Sequence, residues 1–94
     1  MKEILDHIEA HKGDYLSRLS RACAQPSISA QNEGLVEMAD LVAEMLHGIG
    51  FDVKLVPVGS GGAPPVVLGL MEGSSDRTLL LYNHYDVQPV DPLD

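Results

Sequence analysis

His84 and Asp86 are the residues of this chain best placed to do chemistry together. A neutral imidazole is the commonest protein ligand for a metal, and its second ring nitrogen usually donates to a carboxylate that sets the tautomer. Side chains two positions apart on an extended backbone point to the same side, so a His-x-Asp pair can present a ligand and an acid to one site. The pair follows the apolar run Leu79, Leu80, Leu81, Tyr82. In open α/β sheets the carboxyl ends of strands are where ligands bind. Spacing alone does not say whether Asp86 meets the ring, a metal or neither. A histidine and an acid in a surface loop is the plain alternative.

Three other features invite chemistry and carry less of it. His7 and His11 stand one helical turn apart, a spacing that could hold a metal. In the zinc-protease helix motif the glutamate directly follows the first histidine, whereas Glu9 comes second after His7, so solvated histidines are expected here. Cys23 is the only cysteine, which excludes an intrachain disulfide framework. It is expected to pack as a small hydrophobe near a helix end. The glycine-rich stretch 59–65 lacks a following Gly-Lys-Ser/Thr and precedes a strand, so it is not a phosphate cradle.

The elements that must position His84 and Asp86 follow from periodicity. Ile4, Leu5, Ile8, Tyr15, Leu16, Leu19 and Ala22 recur at three- and four-residue intervals and predict one amphipathic helix over 3–24, with Gly13 its weak point. Pro26 ends it, because proline lacks the amide donor and turns its predecessor away from helical angles. Ser29 is the expected cap of a second helix over 30–46, whose stripe is Leu35, Met38, Ala39, Val42, Met45, Leu46 and Ile49. Gly48 and Gly50 suit its end. Phe51, Val53 and Leu55 alternate with Asp52 and Lys54 in a half-buried strand that stops at Pro57. A second strand is expected over 66–71. The run at 78–82 reads as a third, covered on both faces.

The chain of 94 residues, 45% apolar, can form a modest core. Six basic against fourteen acidic residues give a formal charge of -8, which disfavours nonspecific binding to nucleic acid or an anionic membrane and favours cations. No run approaches the roughly 18 apolar residues of a membrane span, and the acidic N-terminal stretch lacks a signal-peptide core, so a cytoplasmic protein is expected. The order helix, helix, strand, strand, strand leaves a doubly covered strand without its cover, and residues 90–94 close on neither helix nor strand. The chain is therefore expected to be part of a longer protein.

The segment Leu80-Leu81-Tyr82-Asn83-His84-Tyr85-Asp86-Val87-Gln88-Pro89 resembles the first metal-site motif of the zinc aminoacylase and dipeptidase superfamily. Carnosine-type dipeptidases, acetylornithine deacetylase, succinyl-diaminopimelate desuccinylase and glutamate carboxypeptidases are members. Gln25-Pro26-Ser27-Ile28-Ser29 is similar to the family's early Pro-Ser-x-Ser turn, and the Asp-Val-Gln-Pro ending is most similar to the dipeptidase branch. The resemblance implies an α/β fold, the N-terminal part of a three-layer αβα catalytic domain. It implies that His84 binds one zinc of a two-zinc centre and that Asp86 is the active-site acid that orients it. The general-base glutamate, the other ligands and the lid or dimerisation domain would lie beyond residue 94.

For the whole protein the implied activity is metal-dependent hydrolysis of a small peptide or an N-acyl amino acid, with zinc, cobalt or manganese suiting the same ligands. The chain alone is expected to bind zinc weakly and to hydrolyse nothing, because catalytic zinc takes about three protein ligands. The alternative is a non-catalytic α/β interaction module, or a homo-oligomer, associating through exposed strand edges.

Overall fold

The computed structural model describes residues 1–90. Its elements are α1 (Lys2–Ala10), α2 (Lys12–Ala24), a 3-10 turn (Ser29–Gln31), α3 (Leu35–Gly48), β1 (Asp52–Val56) and β2 (Val66–Leu70). The closing residues 91–94 lie outside the described part of the chain.

The expected single first helix is two. The break falls at His11 and not at Gly13. The His11 ring Nδ1 meets the His7 carbonyl at 2.8 Å, and the His11 amide is shared between the carbonyls of His7 and Ile8. A side chain competing for a carbonyl of the preceding turn distorts the ladder locally, and φ at His11 widens to -109°. The rings of His7 and His11 stack at 4.1 Å on an exposed surface. The apolar stripe of α1 and α2 is also exposed, including Leu5, Leu16 and Leu19.

α3 is the packed helix. Its buried residues are Leu35, Ala39 and Leu41, with Met38, Val42, Met45 and Leu46 half-buried, so the expected stripe faces the core except for the exposed Ile49. Gly50, at φ +102°, turns the chain out of the helix, and the Phe51 amide bonds back to the Leu46 carbonyl at 3.1 Å. α3 then lies on an antiparallel pair in which Val53 opposes Gly69 and Leu55 opposes Val67. A Cβ at Gly69 would stand 3.1 Å from Phe51 Cδ1 and 3.3 Å from Leu46 Cδ1, so glycine sets how closely the helix approaches. Arg21 spans to Glu44 with two hydrogen bonds of 3.0 and 3.3 Å, joining α2 to α3. Both groups are exposed, and such a pair contributes at most about 1 kcal/mol.

The third expected strand does not form. Leu79, Leu80, Leu81 and Tyr82 are between 75% and 85% exposed and have no ladder partner among the described residues. A strand exists only when a neighbour takes up its backbone donors and acceptors, and the sheet among the described residues consists of β1 and β2 alone. The other face of the sheet is uncovered too, with Val66, Leu68 and Leu70 exposed. The radius of gyration, 16.1 Å, exceeds the roughly 12 Å of a compact chain this long. The fold is a mixed α/β arrangement of one helix on one hairpin. Cys23, expected to be packed, is exposed. No helix among the described residues is long and apolar enough to cross a membrane.

Candidate metal centre

The residues that carry chemistry are held by a clasp between two distant segments. Ile28 pairs with Glu33 through two backbone hydrogen bonds, 2.8 and 3.1 Å, closing a tight loop around the 3-10 turn. Asn32 and Gly34, both at positive φ, let the chain reverse into α3. Ser29 does not cap a helix at residue 30, as the sequence suggested. α3 begins five residues later, with Gly34 at its N-cap and no side-chain cap.

The loop instead docks on residues 85–87. The Val87 amide donates to the Ser27 carbonyl at 2.8 Å, Ile28 bridges Val87 in parallel, and the Ser27 hydroxyl donates to the Tyr85 carbonyl at 2.6 Å. Ser27 is only 3% exposed, so its hydroxyl satisfies a carbonyl that water does not reach freely. Losing it would cost about 1–3 kcal/mol. The Tyr85 hydroxyl donates to the Pro65 carbonyl at 2.6 Å, and burial followed by the Asp86 charge pushes that phenol up from its ordinary value.

This docking brings three side chains together. Asp86 Oδ2 accepts from the Ser29 hydroxyl at 2.6 Å, and Asp86 Oδ1 lies 3.1 Å from His84 Nδ1. His84 Nδ1 is also 2.9 Å from the Asp86 backbone carbonyl. Both groups facing Nδ1 are acceptors, so in the neutral ring Nδ1 carries the proton and Nε2 keeps its lone pair. The Ser29 hydrogen bond holds the Asp86 carboxyl below its ordinary range, against partial desolvation, and His84 adds to the lowering.

A carboxyl whose folded-state pKa is depressed adds stability at pH values above its unfolded pKa and loses it as pH falls through the folded value. In Ser29→Ala the Asp86 midpoint is expected to rise toward the ordinary aspartate value, followed by carbon NMR of the carboxyl in a pH titration. An unmoved midpoint would remove Ser29 as the main cause.

His84 and Asp86 thus meet, as an acid two residues from a histidine can. The sequence reading missed Ser29 as a partner, although it singled out the turn that carries it. His84 fits a metal as one imidazole ligand through Nε2, with Asp86 as the acid behind it. Among the described residues no three histidine, cysteine or acidic side chains gather into a fuller set.

The chain is similar to Cys-Gly metallodipeptidases. The one from Candida albicans is 34% identical over 103 aligned positions, covering 95% of this chain and 21% of the relative. The Cys-Gly metallodipeptidase of Schizosaccharomyces pombe is also 34% identical, over 100 positions, and that of Saccharomyces cerevisiae 30% over 103, each with the same 95% and 21% coverage. The chain therefore spans about a fifth of the length of these metallodipeptidases. No protein-family model matches the chain. No solved structure matches it.

Proposed function

We propose that this chain is the N-terminal part of a metal-dependent dipeptidase that hydrolyses the amide bond of a small peptide, with N-acyl amino acids the related substrate class. The observation that carries the reading is the His84 and Asp86 pair, in which Nδ1 is committed to acceptors and Nε2 is left for a metal. The likeness to Cys-Gly metallodipeptidases supports it and makes Cys-Gly the first substrate to try.

A divalent metal, zinc on this reading, supplies Lewis acidity toward the scissile carbonyl and makes water nucleophilic near neutral pH. His84 contributes the Nε2 lone pair. Asp86 holds the proton on Nδ1 and stabilises the positive charge that ligation induces on the ring. Ser27 and Val87 keep residues 85–87 in register with the loop that carries Ser29. On this reading the remaining ligands and the general base belong to the rest of a three-layer αβα catalytic domain, beyond residue 94, with a separate lid or dimerisation domain, in a cytoplasmic protein. The exposed faces of β2 and of residues 79–82 support that architecture, since apolar surface on a sheet and on an extended segment asks for further layers.

Extended to the length of its relatives, the protein is expected to hydrolyse Cys-Gly, to lose that activity to a chelator and to regain it with added zinc. Absence of chelator-sensitive turnover would sink the reading. In the same protein Asp86→Asn is expected to weaken metal affinity by about 10- to 100-fold, the usual effect of removing a carboxylate behind a ligating histidine. Competition with a chromophoric chelator measures it, and unchanged affinity would free Asp86 from this role.

The exposed apolar segment 79–82 also suits a non-catalytic module that associates through this surface. A relatives-length protein that self-associates and shows no metal-dependent hydrolysis would favour that second reading.

A further inference from the structure

Metal ligation by His84 accounts for its contact with Asp86 but not for the way Asp86 is held. The carboxylate divides its oxygens between two residues, Oδ1 to His84 two positions away and Oδ2 to Ser29, 57 positions away. We propose that Ser29 is a positioning residue for His84: by anchoring the second oxygen of Asp86, its hydroxyl fixes which imidazole nitrogen carries the proton and which is left to bind a metal. The inference rests on the reading of His84 as a metal ligand.

Three observations carry it. The first is geometric. The torsion that turns a carboxylate is broad and roughly two-fold, so one contact to an exposed ring does not fix it, whereas one partner on each oxygen does. The Ser29 contact is 2.6 Å, the length of a charge-assisted O–H to carboxylate bond, and it is shorter than the 3.1 Å contact to the ring.

The second concerns what holds Ser29. The paired Ile28 and Glu33, the Val87 amide on the Ser27 carbonyl and the Ser27 hydroxyl on the Tyr85 carbonyl lie within a few residues of both partners. Ser29 and Asp86 therefore meet through segments that are already in register. The third is that the hydroxyl has no competing use, because α3 starts at Leu35 and takes no side-chain cap. The Asp86 backbone carbonyl also accepts from Nδ1, at 2.9 Å, so loss of Ser29 weakens the preference without abolishing it.

The test is the tautomer of His84, read from long-range nitrogen NMR of the chain at about pH 8, where imidazoles are neutral. His7, His11 and His47 serve as internal controls. In the wild type Nδ1–H dominates at His84. In Ser29→Ala the ratio of Nδ1–H to Nε2–H falls about fivefold, the effect of one net hydrogen bond, and Ser29→Thr, which keeps the hydroxyl, restores it. An unchanged ratio in Ser29→Ala with the Val87 amide still protected overturns the proposal. So does loss of the ratio in a folded Ser29→Thr. Where Ser29→Ala loses Val87 protection, the threonine variant alone decides in the same way.

A separate arm adds millimolar zinc to the wild type. A shift centred on His84 Nε2 supports the ligand reading. Zinc shifts confined to His7 and His11 would defeat that reading, while the tautomer measurements still decide the role of Ser29.

Discussion

His84→Ala is expected to lower Cys-Gly hydrolysis by the relatives-length protein about a thousandfold or more while leaving its unfolding midpoint nearly unchanged. Loss of one imidazole from a catalytic metal site removes several kcal/mol of charge stabilisation in the transition state, and about 4 kcal/mol corresponds to three powers of ten. The fold has little to lose, because the His84 side chain is 75% exposed and its polar contacts are confined to Asp86. A His84→Gln variant separates ligation from hydrogen bonding, since an amide can donate to Asp86 but is a poor ligand. Near wild-type turnover in either variant would remove His84 from the metal.

The second large effect is on stability, and it sits at a residue with no chemistry of its own. Gly34 has φ +73°, and a Cβ there would overlap the carbonyl oxygen of Pro26 and crowd its carbonyl carbon. The overlap is with the Pro26 backbone, and Gly34 is itself the N-cap of α3, so the clash is not relieved without opening the turn. Left-handed strain costs of order 1 kcal/mol and the forced displacement more, so Gly34→Ala is expected to destabilise the chain by roughly 3 kcal/mol. Urea unfolding measures the loss. Hydrogen exchange localises it, because the Val87 amide should lose protection along with the Ile28 and Glu33 pair, and the Ser29 to Asp86 contact should go with them. A variant with the wild-type midpoint and a protected Val87 amide would show that the turn does not hold the clasp.

How much of this was legible in the sequence depended on distance along the chain. The meeting of His84 and Asp86 needs only an extended backbone over three residues, and the stripe of α3 needs only helical periodicity over fourteen. Gly50 at the end of α3 was legible for the same reason. Ser29 was misread because its two uses look alike in sequence: a serine before an apolar-periodic run is a good helix cap. Its partner lies 57 residues away, at a separation that local pattern does not encode.

The run at 79–82 failed in the opposite direction. Its composition is that of a covered strand, but a strand needs neighbours, and among the described residues none pairs with it. The stripe over 3–24 reads as one helix with its weak point at Gly13, and the break occurs instead at His11, where a ring nitrogen takes up the His7 carbonyl. Cys23 shows that composition near a helix end does not establish burial.

The central claim, that His84 presents Nε2 to a metal with Asp86 behind Nδ1, is tested most directly by anomalous diffraction at the zinc edge from zinc-loaded crystals of the relatives-length protein. The expected result is a zinc about 2.0–2.1 Å from His84 Nε2, with Asp86 retained on Nδ1. Zinc bound elsewhere, with His84 Nε2 free of it, would contradict the account.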